Sequence, residues 1–445
     1  MKVKAISRNA NDFTRDRAGD LLKLPRNLAP ELHPFEKGRE YVRAVKGAKI
    51  ERLMAKPFVA ALQGHNDGVY AMANHPTILD RMYSGAADGE LRVWSLSQRK
   101  ATHVVTGAHR GTVKGLAAVP AANSVLSVGM DKTVKMWSTD SESMTHPVQT
   151  WNSKYALNAV DHARSGNQFA TAGFAVDLWD HDRSVPVQSY SWGTDSVASI
   201  RFNPAEPSVF ASTSTDRAII LYDIRVSQPL KKLVLNMTSN AVCWNPMDPV
   251  QFAVANEDHN TYLFDLRNLD RATNVLKDHV SAVLDVDFSP TGADLVTGAY
   301  DKTLRVYNVS SGHSRDVYHT KRMQRLWSVR FSMDSKYIMS GSDDGNIRLW
   351  KANASDTTAI RSAREKAAVA TSVALKEKYM HIEGVRKVAK HRLVPKAVKG
   401  AALLKRSMLE ARTRKDENVR KHAKNPDLVR PRVPERDKSI VGTQE

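Results

Sequence analysis

Three histidine–aspartate pairs carry the side chains most suggestive of chemistry. His65 precedes Asp88 by 23 residues, and His109 and His279 precede Asp131 and Asp301 by 22. An imidazole beside a carboxylate is the base and orienter of a catalytic dyad. A catalytic group, however, occurs once in an active site, whereas this pair recurs along the chain at a fixed offset. Recurrence makes these residues fasteners of a repeated turn. No P-loop, nucleophile elbow, HExxH or paired-cysteine motif accompanies them. The sequence reads as that of a non-enzyme, with no cofactor and no metal.

The repeat that carries the pairs runs through the middle of the chain. An aromatic residue follows an aliphatic one at Trp94, Trp137, Trp179, Tyr222, Phe264, Tyr307 and Trp350, at intervals of 42 or 43 residues. Six residues ahead of the aromatic stands Asp88, Asp131, Asp216, Asp258, Asp301 or Asp344. The third repeat departs, because GFAVDLW shortens the turn and Ala175 or Val176 stands where the acid belongs. Segments such as YSGAADG and VTGAYDK read as strand, tight turn, strand, with the Asp bonding turn amides.

This period, with Gly64-His65, Ala108-His109 and Asp278-His279 at its front, resembles the WD repeat. The resemblance implies a buried hydrogen-bonded chain of His65, Ser84, Asp88 and Trp94, and another of His109, Ser127, Asp131 and Trp137. A third would join His279, Thr297 and Asp301, with Tyr307 in place of Trp. Seven repeats imply an all-β, seven-bladed propeller of four-stranded blades over residues 57–351. The last repeat runs from Trp350 into KANASDTT, which lacks a strand, so its outer strand must come from elsewhere. The apolar stretch 57–62 is expected to pair with the strand through Ile347–Trp350 and close the ring.

The charge is segregated. The 445 residues carry 66 Lys+Arg and 47 Asp+Glu, a net +19; residues 1–56 hold +7, 351–445 hold +13, and 57–350 hold −1. A neutral scaffold with two basic flanks is expected, the flanks suited to a polyanion. A hydrophobic fraction of 42% and a mean hydropathy of −0.43 exclude a wholly disordered chain. The lone cysteine, Cys243, excludes an internal disulfide. No apolar leader or 18-residue apolar run is seen, so a soluble intracellular protein is expected.

Within the flanks, Ser362 and Glu365 form a capping-box pattern ahead of a helix. A second helix from Pro395 sets Val398, Ala401, Leu404, Met408 and Leu409 on one face and basic residues on the other. Residues 39–54 suggest a short helix; 352–424 form a basic helical extension, and 425–445, rich in Pro and charge, are expected to be disordered. Phe13, Phe35 and Tyr41, interleaved with basic residues, suit either stacking on RNA bases or packing onto the scaffold. The RNA-contact candidates are Lys2, Lys4, Arg8, Arg15, Arg17 and Arg26 in the first flank. Lys390, Arg392, Lys405, Arg406, Arg412, Arg414 and Lys415 are those in the second. Lys321, Arg322 and Arg325, with Arg330 nearby, add a basic loop entering the last blade. Two further boxes, Tyr222-Asp223-Ile224-Arg225 and Phe264-Asp265-Leu266-Arg267, resemble the WDxR motif by which propellers dock onto the adaptor of cullin-4 ubiquitin ligases.

Motifs outside the generic repeat carry a more specific resemblance. PRN at 25–27, LHPFE at 32–36, REYVRA at 39–44 and KIERLMAKPF at 49–58 resemble the Sof-type WD-repeat proteins. SAVLDVDFSPTG at 281–292, YHTKRMQ at 318–324, MDSKYIM at 333–339, IRLWKANAS at 347–355 and REKAA at 364–368 extend the likeness. That family implies a scaffold in the small-subunit processome and the U-three small nucleolar ribonucleoprotein, located in the nucleolus of the nucleus and required for pre-18S rRNA processing and 40S assembly. Its implied partners are pre-ribosomal RNA, box C/D small nucleolar RNA and other processome proteins. Animal relatives imply a second role as a substrate receptor of a cullin-4 RING ubiquitin ligase, which the two boxes would serve.

Overall fold

The computed structural model describes residues 34–139, 144–192, 195–356, 360–423, 433–434 and 436–444. Seven antiparallel sheets form the blades: 69–105, 113–152, 159–190, 197–235, 239–276, 283–318 and, for the seventh, 326–351. The second strand of a blade is buried on both faces, as in Ser124–Gly129 and Val209–Ser214, because each sheet lies between two neighbouring blades. Phe210, Ala218 and Tyr222 of blade 4 pack on Leu178 and Tyr190 of blade 3, and Val242 and Phe264 of blade 5 on Ile219 and Leu233 of blade 4. The innermost strands neighbour one another around a closed ring.

The seventh blade is completed from the other end of the repeat region. Strand Phe58–Leu62 pairs antiparallel with Ile347–Lys351, Phe58 opposite Trp350 and Leu62 opposite Ile347. Leu62 is buried with Val69, Met339 and Ile347, so closure is apolar as well as hydrogen-bonded.

Among the described residues, blade 4 alone has five strands. Ile440–Gln444 adds to the outer strand Lys231–Leu235, with Gly442 opposite Val234 and Gln444 opposite Lys232. Part of the segment expected to be disordered is therefore a strand. Its β-branched IVGTQ has nothing to pair with locally, and the open edge of a blade 200 residues earlier supplies the partner.

The chain divides into two compact units that do not follow the sequence order: the described part of Met1–Lys56 with Asn353–Arg392, and Pro57–Ala352 with Leu393–Glu445. The expected extension 352–424 is thus split between them. The smaller unit contains α1 (Glu36–Met54), α2 (Ala363–Lys378) and α3 (Glu383–Lys390). Ala44, Tyr379 and Val385 form its buried centre. Gly47 lets α2 approach closely, since a Cβ there would stand 2.6 Å from Ser372 Oγ. Ion pairs Lys376–Glu51 (2.6 Å) and Lys378–Glu40 (2.7 Å) join α1 to α2 and its end. The fourth helix, α4 (Lys396–His422), belongs to the ring's unit.

Candidate functional site

The histidine networks are built as part of the blades. In blade 2, His109 Nε2 lies 2.7 Å from Ser127 Oγ, which also accepts Trp137 Nε1–H at 2.9 Å; its Nδ1 is 3.0 Å from Asp131. In blade 6, His279 is 2.7 Å from Thr297 Oγ1 and 3.0 Å from Asp301 Oδ2, while the Tyr307 hydroxyl donates to the Lys277 carbonyl. Asp131 and Asp301 also accept the amides and hydroxyls of Thr133 and Thr303. Burial holds all three imidazoles below their ordinary pKa. It works to raise Asp131 and Asp301, but their histidine and threonine partners outweigh it and hold both below the usual carboxylate range. With His109 and His279 only 2% exposed, these groups fasten strands together and offer no surface to a substrate.

Blade 1 departs from the expected network. His65 Nε2 sits 2.6 Å from Ser84 Oγ, and Trp94 Nε1 donates to the same oxygen at 2.7 Å, but His65 Nδ1 faces Glu90 at 3.2 Å rather than Asp88. Asp88 is exposed and accepts only the Glu90 amide. The cause is local: where blades 2 and 6 read Asp-Lys-Thr, blade 1 reads Asp-Gly-Glu, and the longer carboxylate at the third position reaches the imidazole first. Glu90 in turn pairs with Arg92 at 2.8 Å. His65, Asp88 and Glu90 present atoms within 4.8 Å of one another, the only such metal-sized set among the described residues, yet Glu90 and His65 are already committed to Arg92 and Ser84. Blade 4 substitutes Asp216–Lys232 (2.9 Å) and blade 7 Asp344–Arg348 for the histidine pairing.

Inside the ring, side chains on innermost strands bind the next blade. Asp161 accepts the Phe202 amide at 2.7 Å, Asp285 that of Val329 at 2.8 Å and Asp287 that of Phe331 at 2.8 Å. Arg201 pairs with Asp161 (3.2 Å) and Arg330 with Asp285 (3.0 Å). Burial pushes Asp285 up to about 6 and Asp287 up to about 7. Arg330 therefore belongs to this inter-blade set and not to the basic loop before it. Sequence reasoning passed over the channel residues because each is a single charge in an apolar strand, with no spacing signature.

The RNA-contact candidates fall into different settings. Lys2, Lys4, Arg8, Arg15, Arg17 and Arg26 lie outside the described residues, as does Phe13. Tyr41 packs edge-on against Tyr379 at 6.2 Å within the helical unit, while Phe35 is exposed. Lys390 is exposed; Arg392 donates to the carbonyls of Ala389 and His391. Lys405 donates to the His279 carbonyl at 3.2 Å, because Val398 and Lys405 lie on the face that α4 turns inward. Arg406 pairs with Glu410 at 2.7 Å on an exposed turn, and Arg412, Arg414 and Lys415 are exposed. Leu404, Met408 and Leu409, on the expected apolar face, are exposed. Lys321 and Arg322 are exposed, whereas Arg325 lies 4.4 Å over the Tyr300 ring.

The two boxes share one geometry on adjacent blades. Asp223 accepts the Arg225 amide at 3.0 Å and Asp265 the Arg267 amide at 2.9 Å. Tyr222 and Phe264 are core residues, so the exposed Arg225 and Arg267 are what each box presents to solvent. Arg225 reaches Ser208 Oγ at 3.3 Å.

Comparison with known proteins agrees with this architecture. The Sof1-like domain matches residues 352–440, and the WD domain, G-beta repeat, matches 56–95, 100–138, 271–308 and 311–351. The unmatched blades 3, 4 and 5 are ones in which, among the described residues, no His–Asp turn pair is seen. Protein SOF1 of Saccharomyces cerevisiae is 44% identical, covering 100% of this chain and 95% of its own length. DDB1- and CUL4-associated factor 13 of Homo sapiens is 48% identical over 99% of both chains, and that of Xenopus laevis 46% over 95% and 96%. The WD40 propeller domain of Doa1 superposes with a TM-score of 0.59 at 19% identity, covering 66% of this chain and 96% of that domain, which shows the fold.

Proposed function

The chain belongs to the Sof1-like family of WD-repeat proteins, non-enzymatic scaffolds, and on that premise we propose that it serves ribosome biogenesis as a processome assembly factor. The ring engages partner proteins, while the basic flanks engage pre-ribosomal and small nucleolar RNA in the nucleolus. The observation that carries this reading is the distribution of charge, −1 in the ring against +20 in the flanks. In α4 that charge is exposed at Arg412, Arg414 and Lys415. Six phosphate contacts on single-stranded RNA would give a log–log salt slope near −4, at about −0.7 per phosphate. The test compares the full chain with one in which the flank Lys and Arg are changed to Gln, measuring RNA affinity across salt. A shallower slope and weaker binding are expected; equal affinities and slopes reject the reading.

A second reading is favoured by the paired boxes. Relatives named DDB1- and CUL4-associated factor 13 point to a ligase adaptor as partner, and Arg225 and Arg267 stand exposed on adjacent blades in matched turns. Arg225→Ala with Arg267→Ala should abolish DDB1 pull-down and leave RNA binding intact. Retained pull-down rejects the boxes.

A further inference from the structure

Six innermost strands carry a register shift at their second residue: Tyr70, Lys114, Ala198, Asn240, Leu284 and Trp327. A bulged residue leaves the ladder, and its side chain is re-aimed. In each of these blades the amide just before the turn acid, as at Met130, Tyr300 and Asp343, donates to the residue two before the bulge. Bulges and turns therefore share one mouth of the channel. Around that mouth the chemistry is uneven. Blades 4 and 6 present Ala198 and Leu284, and Asn240 of blade 5 is tied to the Val283 carbonyl at 2.8 Å. Blades 7, 1 and 2 present Trp327, Tyr70 and Lys114.

These three form one assembly. Tyr70 stacks on Trp327 with ring centroids 4.5 Å apart, and Lys114 Nζ lies 4.9 Å over the Tyr70 ring. Arg325, two residues before Trp327, caps Tyr300. Both cations are half-buried, and among the described residues neither has a carboxylate partner. A cation drawn partly out of water with only a ring beneath it lacks an anion. Burial also depresses Lys114. The same geometry disfavours RNA as the source of that anion. Tyr70 is covered by Trp327 and by Lys114, so no base can stack on it. Beside the strand of Lys114, Met130 is about half exposed, at 52%, and offers an apolar shelf.

We propose that this mouth, over blades 7, 1 and 2, docks an acidic segment of a partner protein. Its carboxylates meet Lys114 and Arg325, and an apolar side chain lies on Met130. The proposal rests on the reading that the ring engages proteins, and it names the chemistry of one such partner.

The test uses the full chain labelled with 5-fluorotryptophan, the Trp327 signal being identified with Trp327→Phe. The probes are a short glutamate-rich peptide carrying one leucine and, separately, oligouridylate. The peptide should move the Trp327 signal saturably, and Lys114→Gln with Arg325→Gln should weaken that response at least about tenfold. Lys114→Arg should retain it. The other tryptophan signals report whether the double variant is folded; if it is not, Arg325→Gln alone carries the comparison. A Trp327 signal unmoved by the peptide, one moved by oligouridylate instead, or equal affinity in the charge variants overturns the proposal. The RNA salt slope of the same variants should stay at the full-chain value, so failure here and failure of the RNA reading are separate results.

Discussion

The ring and the helical flanks use the same charged residues in opposite ways. In the ring, Asp161, Asp285, Asp287, Asp301, Arg201 and Arg330 are each held by at least one fixed partner across a blade or a turn. Along α4 and α3, cations such as Arg406 and Lys387 meet carboxylates one helical turn away in open solvent. Exposed pairs of that kind contribute roughly 0–1 kcal/mol, so a ligand can take their cations at little cost. Buried partners cannot be exchanged without exposing a bare charge. Burial therefore decides which residues hold the fold and which remain available to bind.

Removing strand Phe58–Leu62 should break the comparison most severely. Without it, blade 7 exposes the backbone edge at Ile347–Lys351 together with Ile347 and Leu349. A chain beginning at residue 63 is expected to lose cooperative thermal unfolding, measured by circular dichroism. A sharp transition near that of the full chain would show that closure does not depend on this strand. Next in size is His279→Ala, which removes the imidazole hydrogen bond to the buried Asp301 and should cost about 2–3 kcal/mol in urea unfolding. His65→Ala should cost less, because Glu90 keeps Arg92. Equal losses at the two sites would deny that the blade 1 acid has a second partner.

Much of the ring was legible because its signals are periodic. Seven aromatics at near-constant spacing, and a strand-like segment ahead of the first repeat, define blades and closure before any coordinates. The helices around Ser362 and Pro395 were legible from cap and pattern, though α3 was not, being short and lacking a side-chain cap. What escaped depends on contacts between distant segments. Glu90 displaces Asp88 through side-chain length, a difference visible only beside the Asp-Lys-Thr turns. Ile440–Gln444 becomes a strand because an edge awaits it, and its own sequence is too short to say so. Lys405 reads as one cation among many until its carbonyl partner is in place. The mouth residues were passed over because a bulge places them, and bulges leave no spacing of their own.

Acid titration should separate two groups inside the ring. His65, His109 and His279 have lowered pKa values through burial, so their contribution is full above about 6.5, the unfolded value, and is lost as pH falls from there through the lowered folded values. Asp285 and Asp287, pushed up to about 6 and about 7, behave oppositely. Their protonated forms contribute fully below about 3.9, and that contribution is lost as pH rises through 6 to 7. Between pH 7 and 5 the two sets offset each other. Asp287→Asn removes one offset, so this variant should lose about 1–2 kcal/mol more than the parent over that interval. Denaturant midpoints at the two pH values measure it, and parallel losses would assign Asp287 an ordinary pKa.

The smallest expected effect lies in the helical unit, where the comparison is sharpest. Ser362 Oγ accepts the Glu365 amide at 3.3 Å, and Glu365 Oε2 accepts the Ser362 amide at 3.1 Å, so the first turn of α2 has two of its free amides satisfied reciprocally. Ser362→Ala should cost about 1 kcal/mol locally. No residue of α2 is buried, so little packing holds that turn once the cap is gone. Hydrogen exchange should therefore quicken by roughly fivefold at the first turn of α2, the rate change that about 1 kcal/mol implies. Amides of the blades should keep their rates, because the ladders of the ring do not depend on that cap. Quickened exchange in the blades as well would mean that the helical unit and the ring open together, and that the two compact units form a single cooperative body.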